Sequence, residues 1–347
     1  MRFEKISDNC LFIFIPELES VWAAISLLSG EKLHTLCTEI YGAERVAVWK
    51  RRYSFLFETY QILAEYFSAN MLDYLLDIPA ENISLESLQS IVREQKPEDF
   101  VWRQFEFQHF NKNASKEILR KAITDDSALD EAYSWIAEHC SSFLAFSAFV
   151  RQSERFIDQF FSLAAEMRTP EFVRLIDKQL PRVEMLYQRI CSGAQSGDLL
   201  ALSEELMGKT FKNRGPYSEF IFMPSYFMPM KACRFFEVEG EPLRQILFLT
   251  LHKTSRDSED RVRALKAIAD PTRYQILTLL AQEGPMRGLD IAQKVSIATS
   301  TVSHHMEQMK ESGLITEEPV KNSKYYGLSK QSAKALLDEI ADDLGIK

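Results

Sequence analysis

The sequence predicts an α+β fold that is mainly α. We expect a large helical N-terminal domain with a small antiparallel sheet, followed by a small C-terminal domain. Three observations support this prediction. Helical periodicity dominates to about residue 210, short aromatic and β-branched stretches occupy 218–252, and a polar run follows at Lys253–Asp260. The predicted domains are 1–255 and 258–345, with the boundary in the polar run.

The net charge of −9 does not by itself decide what the protein binds. The composition is 46% hydrophobic and 26% charged, as in ordinary globular proteins. From Arg261 to Ser329, 9 Lys+Arg stand against 7 Asp+Glu, whereas the first 260 residues hold 29 against 39. The acidity therefore belongs to the N-terminal domain, and the C-terminal domain remains able to bind a polyanion.

The cysteines and the first apolar run indicate a cytoplasmic protein that does not enter a membrane. Pro16 and two glutamates interrupt the run Leu11–Leu28, so it is too short and too polar to cross a bilayer. No pair has CxxC spacing, and an odd number is typical of reduced thiols rather than a disulfide framework. The five cysteines are Cys10, Cys37, Cys140, Cys191 and Cys233.

In the N-terminal domain, LFIFIP at 11–16 predicts a short buried strand that ends at Pro16. Helices follow, and Ser141–Ala165 carries six phenylalanines at helical spacing. Such a stripe favours a hydrophobic core over a ligand site. The stretches SEFIFMPSYFMP, CRFFEV and RQILFLTLH predict the antiparallel strands near 218–252.

The C-terminal domain begins with a well-marked helix in ADPTRYQILTLLAQEG. Asp270 can cap its start, Pro271 suits its first turn, and Gly284-Pro285 ends it. We expect its apolar face to be formed by Tyr274, Ile276, Leu277 and Leu280.

A tight turn then joins two short helices. The first is Leu289–Val295, with Leu289, Ala292 and Val295 expected to point inward. Ser296-Ile297-Ala298 forms the turn. The second helix runs from about Thr299 to Glu311 and ends at Gly313 as a left-handed cap. Two short helices joined in this way predict a helix-turn-helix.

The second helix is predicted to have a buried and a polar face. Val302, Met306 and Met309 form the buried stripe, and His305 packs beside it. Short hydroxyl side chains and an imidazole near a helix start suit duplex DNA, because the backbone can approach phosphate while side chains reach base edges. The candidate DNA-contacting residues on this face are Thr299, Ser300, Ser303 and His304, and Thr301 is expected to help in the contact at the helix start.

A hairpin is predicted after this helix, with strands at Leu314–Glu317 and Lys324–Leu328 and a polar tip at Pro319–Ser323. Such a hairpin would complete a winged helix-turn-helix. Lys321 and Lys324 are then placed to contact phosphate, which positions the protein without reading sequence. A plain solvated hairpin is the alternative.

The motifs DPTR, STVSHH, SGLI and YYxLS, at these spacings over about 261–345, resemble the ArsR family of bacterial winged-helix repressors. IPELESVWAAISLL and FIFMPSYFMP resemble the large N-terminal domain of some members. The resemblance implies a homodimer that binds a two-fold symmetric operator and represses until a signal releases it. The N-terminal domain would sense that signal, a small-molecule effector of unknown identity, or set the dimer geometry.

Three departures from the family qualify what the resemblance implies. Ala298 stands where a Ser or Thr cap is common, so Thr299 is expected to take that role. Glu307 replaces a basic residue, which puts a phosphate contact there in doubt. Met286–Ile291 lacks cysteine and Gln331–Leu344 lacks histidine, so the two metal sites of the family are missing and we expect no metal or other cofactor. Adjacent histidines His304 and His305 diverge on a helix and cannot readily share an ion.

Catalysis is not predicted, because GxGxxG, GxxxxGK[ST], GxSxG and HExxH motifs are absent from the sequence. The expected function is sequence-specific DNA binding by a transcriptional regulator, not an enzyme. The alternative is an enzyme or small-molecule-binding module at 1–250, with the winged helix used to bind a protein.

Overall fold

The fold was described from a computed structural model of the chain. The residues whose structure is described are 2–29, 35–64, 71–105, 107, 111–138, 140, 142–208, 211, 213–229, 232–237, 243–251, 258–320, 323–344 and 346. The chain divides into two compact units, Met1–Leu251 and His252–Lys347, called the first and second units below.

The first unit is helical apart from one five-stranded sheet, so the mainly helical α+β fold class is confirmed. Short 3₁₀ segments at Pro16–Leu18, Met71–Asp77 and Ala80–Asn82 connect its elements. Its helices are α1 (Glu19–Leu28), α2 (Thr35–Tyr41), α3 (Ala43–Arg52), α4 (Ser54–Ala64), α5 (Leu85–Arg93), α6 (Pro97–Phe105), α7 (Lys116–Ala122), α8 (Asp126–Ser134), α9 (Phe143–Arg151), α10 (Ser153–Glu166), α11 (Pro170–Ala194) and α12 (Leu199–Met207).

The sheet of the first unit is mixed rather than antiparallel. Its strands are β1 (Arg2–Ser7), β2 (Cys10–Phe14), β3 (Glu219–Ser225), β4 (Ala232–Phe236) and β5 (Arg244–Thr250). They lie in the order β1-β2-β3-β5-β4, and only the β1–β2 and β4–β5 pairs are antiparallel.

The prediction of a small antiparallel sheet near 218–252 is therefore wrong in its pairing, although the three strands exist. β4 lies at the sheet edge, so β3 pairs in parallel with β5 and with the predicted N-terminal strand β2. Almost every residue of β3 and β5 is buried, which is typical of parallel strands covered on both faces. Pro224 is tolerated in β3 because the β2 ladder ends at Phe222.

The core of the first unit packs aromatic side chains between α1, the sheet and the surrounding helices. Every residue of α1 is buried, and the Trp22 and Phe248 ring centroids lie 5.1 Å apart. The prediction that Ser141–Ala165 contributes to the core is confirmed, since its phenylalanines belong to the hydrophobic core of the first unit. Phe146, Phe149, Phe156, Phe160 and Phe161 are buried, and Phe143 packs against them.

Glu19, at the start of α1, is a fully buried carboxylate. Its Oε2 accepts hydrogen bonds from the backbone N–H groups of Tyr226 (2.8 Å) and Phe227 (3.0 Å) and from the Ser225 hydroxyl (3.2 Å). Burial raises the pKa of Glu19 to about 7, although these three donors oppose the shift. The contact joins α1 to the segment that follows β3.

The second unit has the helix and strand order of a winged helix. Its elements are α13 (Ser258–Ala269), α14 (Pro271–Glu283), β6 (Met286–Arg287), α15 (Gly288–Val295), α16 (Thr299–Glu311), β7 (Ile315–Val320), β8 (Ser323–Leu328) and α17 (Lys330–Asp343). The three strands form an antiparallel sheet in the order β6-β8-β7. The predicted wing is present, and both strands extend nearer the tip than the sequence indicated.

Two apolar residues predicted to face the second core are exposed instead. Tyr274 is 61% exposed and Leu289 is 54% exposed, while Ile276, Leu277 and Leu280 are buried as expected. At about 100° per residue, each exposed side chain lies well away from the centre of its helix's buried stripe. A spacing of three residues from a buried position does not by itself place a first-turn residue on the buried face. The prediction therefore wrongly included Tyr274 in α14 and Leu289 in α15.

Within the residues described above, none of the helices has both the length and the apolar character needed to span a bilayer.

Candidate nucleic-acid interface

The turn between α15 and α16 is short because one residue adopts a left-handed conformation. Ser296 has φ of 58°, a conformation that side chains other than glycine seldom adopt. The Ile297 N–H then donates to the Ala292 carbonyl over 3.1 Å, and the Ile297 side chain packs against the core. These contacts fix where α16 begins relative to α15.

The core stripe of α16 determines which side chains face solvent. Val302, Met306 and Met309 are buried, as predicted. With one side of the helix fixed in the core, the five predicted DNA-contacting residues of α16 share its exposed surface. These are Thr299, Ser300, Thr301, Ser303 and His304.

The start of α16 has no side-chain cap. Ala298 is the N-cap residue, and no side chain accepts a hydrogen bond from the first turn. The expectation that Thr299 would act as the cap is therefore wrong, because Thr299 is already the first helical residue. By contrast, Asp270 caps α14 as predicted, accepting from the Arg273 N–H over 2.9 Å. The first-turn N–H groups of α16 thus remain without side-chain acceptors.

The Ser303 hydroxyl donates to the Thr299 carbonyl at 3.0 Å, one helical turn earlier. This bond holds the hydroxyl along the helix surface while leaving its oxygen able to accept. Ser303 therefore presents a preoriented acceptor next to the uncapped end of α16.

A hydrogen-bonded chain connects the exposed face of α16 to the rest of the second unit. The Gln308 and His304 Nε2 atoms lie 3.0 Å apart, and Gln308 Oε1 accepts from Arg273 Nη1. Because the Gln308 oxygen serves Arg273, its amide nitrogen donates to His304, whose Nε2 accepts.

Arg273 joins three elements through its guanidinium group. Its Nε donates to the Ala267 carbonyl (2.8 Å) and its Nη2 to the Lys266 carbonyl (3.0 Å), both at the end of α13. Arg273 is the arginine of the DPTR motif. The sequence alone predicted no role for Arg273 or for Gln308. The available signal was that Gln308 follows His304 by four residues, which places the two side chains together on a helix.

His305 packs beside the core stripe, as predicted, and is half-buried. Its Nδ1 is buried and has no hydrogen-bond partner in the described part of the chain. The backbone N–H and the charge of Arg273 lower the pKa of Asp270, and His305 lies close enough to Asp270 to interact with it electrostatically. His305 thus faces the start of α14 rather than the exposed face of α16.

The wing carries one lysine whose position is described. The Lys324 Nζ lies 3.1 Å from Glu317 Oε1, and Lys310 Nζ lies 3.3 Å from the same oxygen. The bond from Lys324 lowers the pKa of Glu317, and Glu317 in turn raises the pKa of Lys324. One carboxylate therefore partly neutralises two cations at the base of the wing. Lys321 lies outside the described residues.

The charge along α16 is uneven. Its first half, from Thr299 to His304, carries hydroxyls and an imidazole, whereas Glu307 and Glu311 are exposed in its second half. At about 100° per residue, both glutamates lie on the same face as Ser300 and His304. Only the first half of this face is free of negative charge.

Metal ligands are not gathered in the described residues, where no group of three or more His, Cys, Asp or Glu side chains could hold an ion. Met286–Ile291, where the family's cysteine motif was sought, forms β6 and the first turn of α15.

Comparison with known proteins identifies the helix-turn-helix. Residues 270–317 match the sequence model of a family described as "Bacterial regulatory protein, arsR family". The chain is 39% identical over 64 residues to the transcriptional repressor SdpR of Bacillus subtilis, covering 18% of this chain and 70% of SdpR. It is 31% identical over 74 residues to an arsenical resistance operon repressor of the same organism, covering 21% and 70%.

A cadmium resistance regulatory protein CadC homolog of Staphylococcus aureus is 30% identical over 80 residues, which cover 23% of this chain and 66% of the relative. Among solved structures, a homodimeric winged helix-turn-helix DNA-binding domain from Mycobacterium bovis is 26% identical. Its match covers 28% of this chain and 93% of that domain, with a TM-score of 0.22. From the family and relative matches, the chain belongs to the ArsR family and is a DNA-binding transcriptional regulator.

Proposed function

We propose that α16 enters the major groove of DNA with its first half and reads base edges there. Thr299, Ser300, Ser303 and His304 would make these contacts, and Thr301 would assist at the start of the helix. The observation that carries the proposal is their common exposure on one short helix whose opposite side is fixed in the core. Lys324, with Lys321, would contact phosphate from the wing.

The charge of α16 supports an orientation in which its N-terminal end lies deepest in the groove. A helix of 13 residues is about 20 Å long, more than the roughly 12 Å width of the major groove. Glu307 and Glu311 would be repelled by phosphate, so the second half should lean out of the groove. The uncapped N–H groups after Ala298 then face the DNA backbone and can donate to a phosphate oxygen.

We further propose that the second unit forms a homodimer through α13 and α17, which pack against each other. Val262 and Leu265 on α13 and Leu337 on α17 are exposed apolar side chains. Burying them against a second copy would be favourable. Two copies of α16 would then bind half-sites about 34–36 Å apart, or a multiple of that distance, in a two-fold symmetric operator.

The regulator is proposed to be a cytoplasmic repressor whose first unit senses a small-molecule effector or sets the dimer geometry. Two of the relatives are named as repressors, which supports this direction of regulation. The proposal assigns no enzymatic activity to the first unit.

Fluorescence anisotropy with the DNA upstream of the protein's own gene tests base reading. Ser303→Ala with His304→Ala should reduce the affinity for this DNA to that for scrambled DNA, a loss of about a hundredfold or more if two base contacts are removed. Wild-type affinity for both DNAs should fall steeply with salt.

Thr278→Ala with Gln282→Ala is a matched control. Both side chains are exposed on α14, and the Thr278 hydroxyl also bonds the carbonyl one turn earlier. This control should retain specific binding. Retention of specific binding by the Ser303/His304 variant would exclude α16 as the reading helix. Equally weak wild-type binding to both DNAs would favour a winged helix that binds protein.

A further inference from the structure

A second arrangement suited to binding lies at the edge of the sheet in the first unit, around Arg234. Arg234 and Phe236 lie on one face of β4, and Gln245 of β5 is paired opposite Phe236. The carbon at the centre of the Arg234 guanidinium is 3.9 Å from the ring centroid of Phe211, 4.9 Å from Tyr217 and 4.5 Å from Phe236. Three aromatic rings therefore surround one cation.

The hydrogen bonds of this cluster leave donors unused. Arg234 Nε donates to Gln245 Oε1 over 2.7 Å, and its Nη1 donates to the Asn213 carbonyl over 3.0 Å. Arg234 Nη2, Gln245 Nε2 and the Tyr217 hydroxyl are buried and form no close hydrogen bond in the described part of the chain, although the Tyr217 hydroxyl lies near the Arg234 guanidinium. Gln245 itself is completely buried.

What is missing is an acceptor. The Gln245 oxygen already accepts from Arg234, and the groups without a close partner are the N–H donors of Arg234 and Gln245 and the Tyr217 hydroxyl. A buried donor without a partner destabilises the fold, and an acceptor placed among these groups would remove that cost. Both nitrogens extend from a bonded pair of side chains, so a single ligand group can serve them.

The charge of the missing acceptor follows from a comparison with the other arginines that lie over aromatic rings. Arg2, Arg93 and Arg103 are each within ion-pair distance of a carboxylate, and Arg155 is exposed to solvent. Arg234 is half-buried, and its described partners are neutral.

The nearby Glu204 carboxylate serves other groups. It accepts from the Phe211 N–H over 2.7 Å and pairs with Arg214 at 2.8 Å. Burial lowers the pKa of Arg234, and the Tyr217 hydroxyl and the Glu204 charge offset the shift only in part, so no described carboxylate serves as a close counter-ion. An anion would supply that counter-ion.

We propose that the Arg234 cluster binds a small carboxylate with a flat apolar body. The carboxylate oxygens would accept from Arg234 Nη2, Gln245 Nε2 and the Tyr217 hydroxyl. The flat body would lie against the aromatic rings, which favour planar groups.

Isothermal titration calorimetry of the full chain with benzoate, in the absence of DNA, tests the site. We expect benzoate to bind with a Kd of about 1 mM or tighter, as for a small ligand in a suitable pocket. Benzamide, which keeps the shape but lacks the charge, should bind at least about tenfold more weakly. No benzoate binding at tens of millimolar, or equal binding of both compounds, would overturn the proposal.

Variants locate the binding. Arg234→Met should abolish benzoate binding, and Tyr217→Phe, which removes one hydroxyl and keeps the ring, should weaken it about threefold or more. Arg2→Met is the matched control, since Arg2 also stacks on a ring but is already paired with Glu184. It should bind benzoate as the wild type does.

If Arg234→Met fails to fold, Arg234→Lys and Tyr217→Phe decide the matter, because both keep the size of the side chain nearly unchanged. Wild-type affinity in both would refute the site. The titration contains no DNA, so its outcome is separate from that of the DNA-contact proposal.

Discussion

The polar side chains discussed for the first unit are buried, whereas those on the polar face of α16 in the second unit are exposed. Glu19 and Gln245 lie in the interior around the five-stranded sheet, whereas the polar face of α16 is in solvent. Burial of a polar group is unfavourable unless a partner replaces water, while exposure costs little. The role of a buried polar group is therefore inferred from its hydrogen-bond partners. The role of an exposed polar group is inferred from the surface to which it belongs.

The two buried clusters of the first unit, around Glu19 and around Arg234, differ in how completely their polar groups are hydrogen-bonded. Glu19 receives three hydrogen bonds and joins α1 to the segment after β3. Arg234 donates a hydrogen bond to Gln245, and each of the two side chains keeps a buried N–H donor without a close acceptor in the described part of the chain. The complete cluster is structural, and the incomplete one is where a ligand is proposed.

The largest expected effect concerns Glu19 and pH. Its pKa of about 7 in the folded state exceeds the usual value, so the folded protein binds more protons than the unfolded chain between about pH 4.5 and 7. Stability of the first unit should fall as pH rises through that window, by up to about 3 kcal/mol. Glu19→Gln stays neutral, keeps an accepting oxygen and should remove this dependence.

Urea unfolding followed by tryptophan fluorescence at pH 5 and pH 8 measures the effect. All four tryptophans lie in the first unit, so the signal reports that unit alone. Glu205→Gln, at an exposed position, should keep the wild-type pH dependence. An unchanged pH dependence in Glu19→Gln would show that the buried carboxylate is not responsible.

The next largest effect is expected at Arg273, a half-buried arginine of the second unit. Arg273→Met removes the bonds to Lys266, Ala267 and Gln308 and should lower local stability by about 2 kcal/mol or more. Hydrogen exchange of the α14 and α16 amides measures this loss. Arg287→Met removes only an exposed pair with Asp290 and should leave the local stability nearly unchanged. Equal losses in both would contradict a structural role specific to Arg273.

An exposed position should accept a charge reversal without loss of stability. Glu307→Lys on α16 should tighten binding to operator and scrambled DNA alike by about tenfold at low salt. The slope of log affinity against log salt should steepen by about 1–2. Anisotropy across a salt series measures both. Glu131→Lys makes the same change at an exposed site in the first unit and should have little effect; equal tightening there would indicate a general charge effect.

The smallest effect is expected at the wing. Glu317→Gln releases Lys310 and Lys324 from a shared carboxylate and should tighten DNA binding by about threefold at low salt. The same anisotropy series detects it, with Glu205→Gln as the neutralising control in the first unit. Weaker binding would mean that Glu317 is needed to hold Lys324 in position.

The winged helix could be predicted closely because local signals mark its elements. Asp270-Pro271 starts α14, Gly313 with φ of 69° ends α16, and the stripe of Val302, Met306 and Met309 orients it. These signals depend on neighbours along the chain and on helical period, both visible in a sequence.

Contacts between distant residues could not be predicted in the same way. The parallel pairing of β3 with β5 depends on which strand reaches the sheet edge, and strand composition does not reveal that. The bond between Arg273 and Gln308 joins residues 35 positions apart. The Arg234 cluster draws on Tyr217 and Gln245 from either side of β4, and only the folded chain brings them together. The DNA-contacting roles of the α16 residues stay a prediction.

The strand order of the first unit makes its two ends unequal when the chain is trimmed. β5 lies between β3 and β4, so cleavage after Leu251 would leave every strand of this sheet in place. Removal of the first fourteen residues would take away β1 and β2 and expose the apolar edge of β3, which is a site for aggregation. Limited proteolysis should therefore yield a soluble fragment when it cuts near the C-terminal end of this unit and an insoluble one when it cuts after β2.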